Sequence, residues 1–236
     1  MKEQFIVYCE NVLDLRNASL SDEFYYQSLP LCLIDSVFSI NVRYTSVKNV
    51  LKRYSMHYDL PLFRSRDSSY PSIESQHTIS ELHENMKKYG VEDFARYIFQ
   101  NNCRTSSRAG ILKAEAVYLW AKTLMKYDIN AFQDVSKLSD EIEAEVRTIK
   151  GQGTGITWNY FRMLSGDDSF CKPDRQLLRF ISSAMKRNIS DVSEAQEVMN
   201  EAVGYLIKSY PNMTVRLLDH TIWKHMSKGG SPCTKQ

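Results

Sequence analysis

Apolar positions recur along the chain at three- and four-residue spacing almost throughout, the period of a helix buried on one side. Residues 31–40 (LCLIDSVFSI) read as a buried helix, and YTSVKNVLKRY follows with Val47, Val50, Leu51 and Tyr54 on one face. Asn41, Val42 and Arg43 link the two. Residues 59–77 are rich in Ser, Pro and Arg and predict a long loop. Thr78 and Glu81 have capping-box spacing, and Tyr89–Gly90 ends the helix they open. A further helix is predicted over Glu92–Gln100, then a polar connection over Asn101–Gly110. In ILKAEAVYLWAKTLMKY, Ile111, Ala114, Tyr118, Ala121 and Met125 form one stripe, with Lys113 and Lys122 off it. Ser139 precedes DEIEAEVRTIK, whose acidic first turn complements the helix dipole. Then come TWNYFRML, PDRQLLRFISSAM, a Ser193-to-Gln196 capping box ahead of EVMNEAVGYLIKSY, and Thr214 capping VRLLDHTIWKHM. A short segment precedes the first helix, and SKGGSPCTKQ reads as a frayed tail. No alternating sheet pattern survives, so an all-α fold of roughly ten helices is expected.

A chain of 236 residues, 43% hydrophobic, makes one large domain or two small ones and needs no disulfide staples. The five cysteines (Cys9, Cys32, Cys103, Cys171, Cys233) are odd in number and far apart with no CxxC pair. They outline neither a disulfide framework nor a zinc or iron–sulfur knuckle, and His57, His77 and His83 lack ligand spacing. The first residues, MKEQFIVYCENVLDL, carry acids where a signal peptide would carry its apolar run, so a cytoplasmic protein is expected. A net charge of +2 says little, but its distribution says more. Asn41–Arg66 holds six Lys/Arg against Asp59, Arg96–Lys126 six against Glu115, and Lys172–Arg187 five against Asp174. Each run alone reads as a solvated helix face; three together point toward a polyanion.

The stretch EVRTIKGQGTGITWNYFRML carries the most chemistry. An amphipathic helix closes at Lys150, turns through Gly151–Gln152–Gly153, and restarts as a helix near Thr154–Gly155. Glycine permits such a turn and a close approach of a ligand, and the free amides opening the second helix suit a phosphate. A ligand-free helical hairpin would use the same glycines. Downstream stands Pro173–Asp174–Arg175–Gln176–Leu177–Leu178–Arg179–Phe180, with Asp174 placed to open a helix. An aspartate there suits an oxocarbenium-like transition state, although it equally suits a plain helix cap.

These two segments together resemble the helix–hairpin–helix base-excision DNA glycosylases of the endonuclease III-like superfamily. That family pairs a hydrophobic-Pro-Gly-x-Gly hairpin with an Asp opening a later helix and an Arg five residues beyond it, here Asp174 and Arg179. A weaker likeness extends to LCLIDSVFSINVRYTSVKNVLKRY and to the Lys113–Ala114 step. The resemblance implies two helical domains flanking a DNA-binding cleft. One would span 31–165, with the helix–hairpin–helix at about 139–165. The other would combine 1–30 with 166–236 and carry Asp174 as the catalytic group. It further implies a monomer that flips a damaged or modified base out of duplex DNA, hydrolyses its N-glycosidic bond and leaves an abasic site.

By the same resemblance, Gly151, Gln152, Gly153, Thr154, Gly155, Lys113, Lys172 and Arg175 would hold the DNA backbone. Asn41 would be the wedge, with Arg43 and Tyr44 close behind, and Tyr44, Trp120, Trp158 and Trp223, with Phe38 and His220, would supply pocket walls. No catalytic cofactor is implied, only K+ or Na+ at the carbonyls of 149–154. Gly155 replaces the lysine that makes some members strand-cleaving lyases, so the implied enzyme is monofunctional. Pro173 and Gln176 depart from the family's Val-Asp-x-His, and the four-cysteine iron–sulfur loop is absent. Two rival expectations stand beside this one: a non-catalytic DNA-backbone clamp, and a glycosylase acting on phage-modified bases in antiviral defence.

Overall fold

The computed structural model describes residues 2–227; the predicted tail beyond Ser227, with Cys233, lies outside the described residues. Their regular structure is helical, with two isolated β-bridges, Tyr26 to Phe63 and Arg104 to Leu112, and no sheet. The chain forms two compact units, Ser21–Ser165 and Met1–Leu20 with Gly166–Gln236. The expected first boundary, at 30/31, falls ten residues too late. Residues 21–30 are tied into the larger unit, where Gln27 N donates to Leu62 O at 3.1 Å and Tyr26 Oη donates to Asp35 Oδ2 at 2.7 Å.

The larger unit is built around α2 (Leu29–Phe38), in which every residue is buried. A helix covered all round has no solvent-facing side, so its sequence is apolar but for Asp35 and Ser36, whose polar groups are bonded inside, Asp35 to Tyr26 and Ser39, and Ser36 to Leu33 O. Around it pack α3 (Tyr44–His57), α4 (Ile79–Tyr89), α6 (Lys113–Lys126) and α8 (Ile156–Leu164). The capping box at Thr78 and Glu81 is present, with Thr78 N on Glu81 Oε2 at 2.7 Å and Glu81 N on Thr78 Oγ1 at 3.2 Å. The helix predicted over Glu92–Gln100 is α-helical only as α5 (Val91–Asp93) and then widens into a π-helix over Phe94–Ile98. α7 (Asp140–Arg147) packs on α6 and leads into the glycine turn before α8.

The smaller unit consists of α1 (Lys2–Val12), α9 (Arg175–Met185), α10 (Val192–Leu206) and α11 (Val215–Ser227). α1 packs on α9 and α10, and α11 packs on the same two. α1 escaped the pattern reading because only Phe5 and Cys9, one helical turn apart, are fully buried. Phe5 meets Phe180 edge-on with ring centroids 6.1 Å apart.

The capping box expected at Ser193 is not there. α10 is capped by Asp191, whose Oδ1 accepts from Glu194 N at 2.8 Å, and Ser193 lies inside the helix. Gln196 instead reaches the chain before α9, accepting from Cys171 N at 3.1 Å and donating to Ser169 O at 2.9 Å. Asp191→Ala is therefore expected to lower unfolding stability by about 1 kcal/mol, and Ser193→Ala to change it by less than about 0.5 kcal/mol. Urea denaturation of the two variants checks this; equal losses would place the cap at both residues.

Candidate functional site

Residues 149–155 form two successive tight turns, with Gln152 N on Ile149 O at 2.9 Å and Gly155 N on Gln152 O at 3.2 Å. The polar connection over 101–110 supports them. Thr105 N bonds Ile111 O at 2.9 Å, and Thr105 Oγ1 donates to Lys150 O at 3.1 Å. Gly151 is needed here twice over: its φ is +89°, and a Cβ on it would stand 2.4 Å from Thr105. Gly153 is different, because a Cβ there would come no nearer than 3.7 Å to other atoms and its φ is ordinary. Gly155, at φ +77°, is the N-cap of α8.

Among the described residues, the amides of Gly153 and Thr154 make no protein hydrogen bond, and both residues are exposed. Two outward-facing donors at a helix start, where the dipole adds partial positive charge, are what an oxyanion needs. The Gly153 carbonyl accepts from Arg147 Nε at 3.1 Å and Nη2 at 3.0 Å, which brings to the turn a guanidinium that is itself paired with Glu143 Oε1 at 3.3 Å. Gln152 points the other way: it is 1% exposed, and neither side-chain amide atom has a partner among the described residues.

In the smaller unit, Asp174 is the N-cap of α9. Its Oδ1 accepts from Gln176 N at 2.8 Å and Leu177 N at 3.3 Å, while Oδ2 makes no protein hydrogen bond among the described residues. The aspartate is half-buried, and a tight turn at Pro173 sets its entry, with Asp174 N on Lys172 O at 2.6 Å. Lys172 is half-buried and Arg175 exposed on either side of it.

Asp219 on α11 belongs to this neighbourhood and is absent from the sequence-based site. Its carboxyl is buried. Burial pushes it from an ordinary 3.8 up to about 8, and the negative charge of Asp174 pushes the same way, against the Lys172 ammonium and amide. The same surroundings raise the buried Cys171 thiol, through burial first and then Asp219 and Asp174. A signal for Asp219 was available: it occupies the core stripe of α11 with Val215, Leu218 and Ile222, where a carboxylate has no packing reason to be.

Other predicted residues are scattered. Lys113 is a correction: it is 1% exposed, and its Nζ donates to Phe38 O at 2.9 Å and Ile40 O at 2.6 Å, capping the end of α2 rather than facing phosphate. Trp120 and Trp158 are also corrections as pocket walls, since both are fully buried, 5.9 Å apart, in one cluster with Phe161. Phe38 is likewise interior. Asn41 is exposed at φ +53° at the corner between α2 and α3, and exposed Arg43 precedes α3. Tyr44 is half-buried, its hydroxyl linked to Tyr26 and so to buried Asp35. In the smaller unit Trp223, 38% exposed, stacks on His220 with centroids 5.8 Å apart. His220 lines a cleft of about 230 Å³ with Asn17, Lys224 and His225. Burial, then Lys224 and Arg216, lower its imidazole to about 4.

No grouping of three or more His, Cys, Asp or Glu side chains suited to a metal ion occurs among the described residues, and none of their helices is long and apolar enough to cross a membrane. The chain belongs to the family described as "Domain of unknown function (DUF8548)", which matches residues 3–227. No curated protein and no solved structure matches it.

Two measurements follow from this geometry. Gly151→Ala is expected to lower stability by more than about 1 kcal/mol and Gly153→Ala by well under that, in thermal or urea unfolding. Equal sensitivity would mean the turn is differently built. The raised Asp219 carboxyl keeps a proton that the unfolded chain has already lost between about pH 4 and about pH 8. Stability from this group is thus full below about pH 4 and falls as pH rises toward about 8; in Asp219→Asn that component of the slope should vanish.

Proposed function

We propose that the protein is a monofunctional DNA glycosylase of the helix–hairpin–helix type, acting on duplex DNA that carries a damaged or modified base. The observation that carries this reading is the divided use of Asp174, with Oδ1 fixed by two amides of α9 and Oδ2 uncommitted among the described residues. Fixing one oxygen pre-orients the other, so the carboxylate needs little reorganisation when positive charge develops on the sugar. In the reaction the C1′–N bond breaks with its electron pair leaving on the base. Water adds to C1′, and its proton is lost as the base gains one. Asp174 Oδ2 would stabilise the oxocarbenium-like state and orient that water.

The helix–hairpin–helix element would hold the backbone, its exposed Gly153 and Thr154 amides meeting a phosphate. Lys172 and Arg175, beside Asp174, would add counter-charge. Of the wedge and pocket residues, Asn41, Arg43, Tyr44 and Trp223 keep some exposure and stay in the proposal. A K+ or Na+ ion at the carbonyls of 149–154 would share them with donors already in place on Ile149, Lys150, Gln152 and Gly153, so no step is assigned to it.

Gly155 supports hydrolysis without strand cleavage. Its left-handed φ of +77° also means that a lysine installed there would be strained, so Gly155→Lys is not expected to create a lyase. The second reading, a non-catalytic backbone clamp, is favoured by the cap itself, because an aspartate bonded to Gln176 N and Leu177 N serves α9 without any chemistry.

DNAs carrying different modifications, hypermodified phage genomes included, separate the two readings when released bases are identified by mass spectrometry. The glycosylase reading expects release from one class, an intact strand until alkali treatment, and a loss of about 100-fold or more in Asp174→Asn. Binding to every duplex with no base released from any would leave the clamp. Wild-type release by a folded Asp174→Asn would remove Asp174 from the chemistry.

A further inference from the structure

The basic run Asn41–Arg66 ends inside the segment 59–77, and that segment has a small core of its own. Arg64 N donates to Tyr25 O at 2.9 Å and Gln27 N to Leu62 O at 3.1 Å, which pins the segment beside the residues leading into α2. Three rings, Tyr25, Tyr70 and Phe132, stand around the Arg64 guanidinium with centroids 5.3, 5.2 and 5.8 Å from Cζ. Tyr70 stacks on Phe132 at 4.8 Å, and its hydroxyl donates to Ser165 O, at the end of α8, at 2.9 Å. Arg64 Nη1 donates to Ser68 O at 2.9 Å. Arg64 is half-buried, yet its Nε is fully covered and has no hydrogen-bond partner, and no carboxylate pairs with the guanidinium among the described residues. We infer that Arg64 is an oxyanion-binding residue, held in this aromatic clamp so that the edge of its guanidinium takes a phosphate group.

A cation partly withdrawn from water is normally paired with an anion, and a covered N–H normally finds an acceptor. Arg64 has neither at Nε. The rings stabilise its charge through their faces but offer no oxygen to its N–H groups. Nε and Nη2 form the parallel donor pair that a phosphate accepts from edge-on, and the clamp has already fixed their orientation. Other basic residues of the run are committed elsewhere: Lys48 pairs with Glu23 at 2.7 Å, Arg66 pairs with Asp67 at 3.2 Å, and Arg53 donates to Phe99 O and Gln100 O. The nearby acids of the segment are engaged as well, Asp67 by the Arg66 side chain and Asp22 by Arg66 N at 2.9 Å. Tyr70 bonds the C-terminal end of α8, whereas the glycine turn opens its N-terminal end, so this site is separate from the Gly153 and Thr154 amides. Phosphate binding at Arg64 does not depend on base release.

Nitrogen-15 labelling of the arginine side chains in the full chain lets the Arg64 Nε–H signal be followed, assigned through its contacts with ring protons of Tyr25, Tyr70 and Phe132. Inorganic phosphate and a short unmodified duplex are titrated separately, with chloride at equal ionic strength as the control. A saturable shift with at least one phosphate probe, and none with chloride, is expected. Arg64→Lys keeps the charge but lacks the fork, and is expected to bind that probe about tenfold more weakly or worse, while Arg66→Lys binds it unchanged. A shift with the duplex makes Arg64 a contact to the DNA backbone; a shift with inorganic phosphate alone assigns it to a small phosphorylated ligand. A signal that neither probe moves, or that chloride moves equally, means that water satisfies Nε and overturns the site. A folded Arg64→Lys that binds as the wild type overturns it too, and where that variant unfolds the wild-type titration decides alone. A saturable shift in a protein that releases no base from any DNA keeps the phosphate site and rejects the glycosylase reading instead.

Discussion

The first amides of a helix must find acceptors, and for α9 two of them, Gln176 N and Leu177 N, find a single oxygen of Asp174. Much of the smaller unit is arranged around that bond. α9 carries the buried face, Leu177, Phe180, Ile181 and Ala184, against which α1 and α11 pack. The turn at Pro173 delivers the aspartate to its helix, and Gln196 of α10 holds the chain just before it through Cys171 N. The second oxygen of Asp174 is left over by this arrangement, and the proposed chemistry is what it could be left over for.

A comparable constraint shapes the larger unit. The turn before α8 closes tightly because Thr105 lies where a side chain on Gly151 would be, and because Lys150 O is held by the same threonine. Bonding Gln152 N and Gly155 N inside the turn while leaving Gly153 N and Thr154 N outside it separates structural donors from available ones. Arg147, paired with Glu143, holds the Gly153 carbonyl. Lys113 at the start of α6 does a structural task of the same kind by satisfying the carbonyls of Phe38, the last residue of α2, and of Ile40 just beyond it. A lysine buried for that purpose and a lysine facing phosphate have the same neighbours in sequence, since both sit at the start of an amphipathic helix.

Helical periodicity made most elements legible, because a one-sided helix writes its buried face into the chain at fixed spacing. It failed for α1, whose burial rests on Phe5 and Cys9 alone, and it could not foresee the π-helical turn at Phe94–Ile98. Capping was read correctly at Thr78 and Thr214, but Ser193 has the right chemistry two residues inside the helix that Asp191 opens. The glycine turn and the Asp174 helix start were visible because both depend on local backbone demands. Trp120 and Trp158 were not separable from pocket residues, since an aromatic on an apolar stripe reads the same whether the stripe meets core or ligand. Asp219 was legible as a carboxylate on the apolar stripe of α11, but its electrostatic coupling to a segment some 45 residues earlier in the chain is written in no local spacing.

The central claim is that Asp174 has one oxygen for its helix and one for a reaction. Serine caps a helix start about as well as aspartate does but has no carboxylate. Asp174→Ser, measured side by side for thermal unfolding and for single-turnover base release on a responsive DNA, separates the two uses. The account predicts an unfolding midpoint within about 4 °C of the wild type together with near-complete loss of base release. A variant that releases base at the wild-type rate would contradict it.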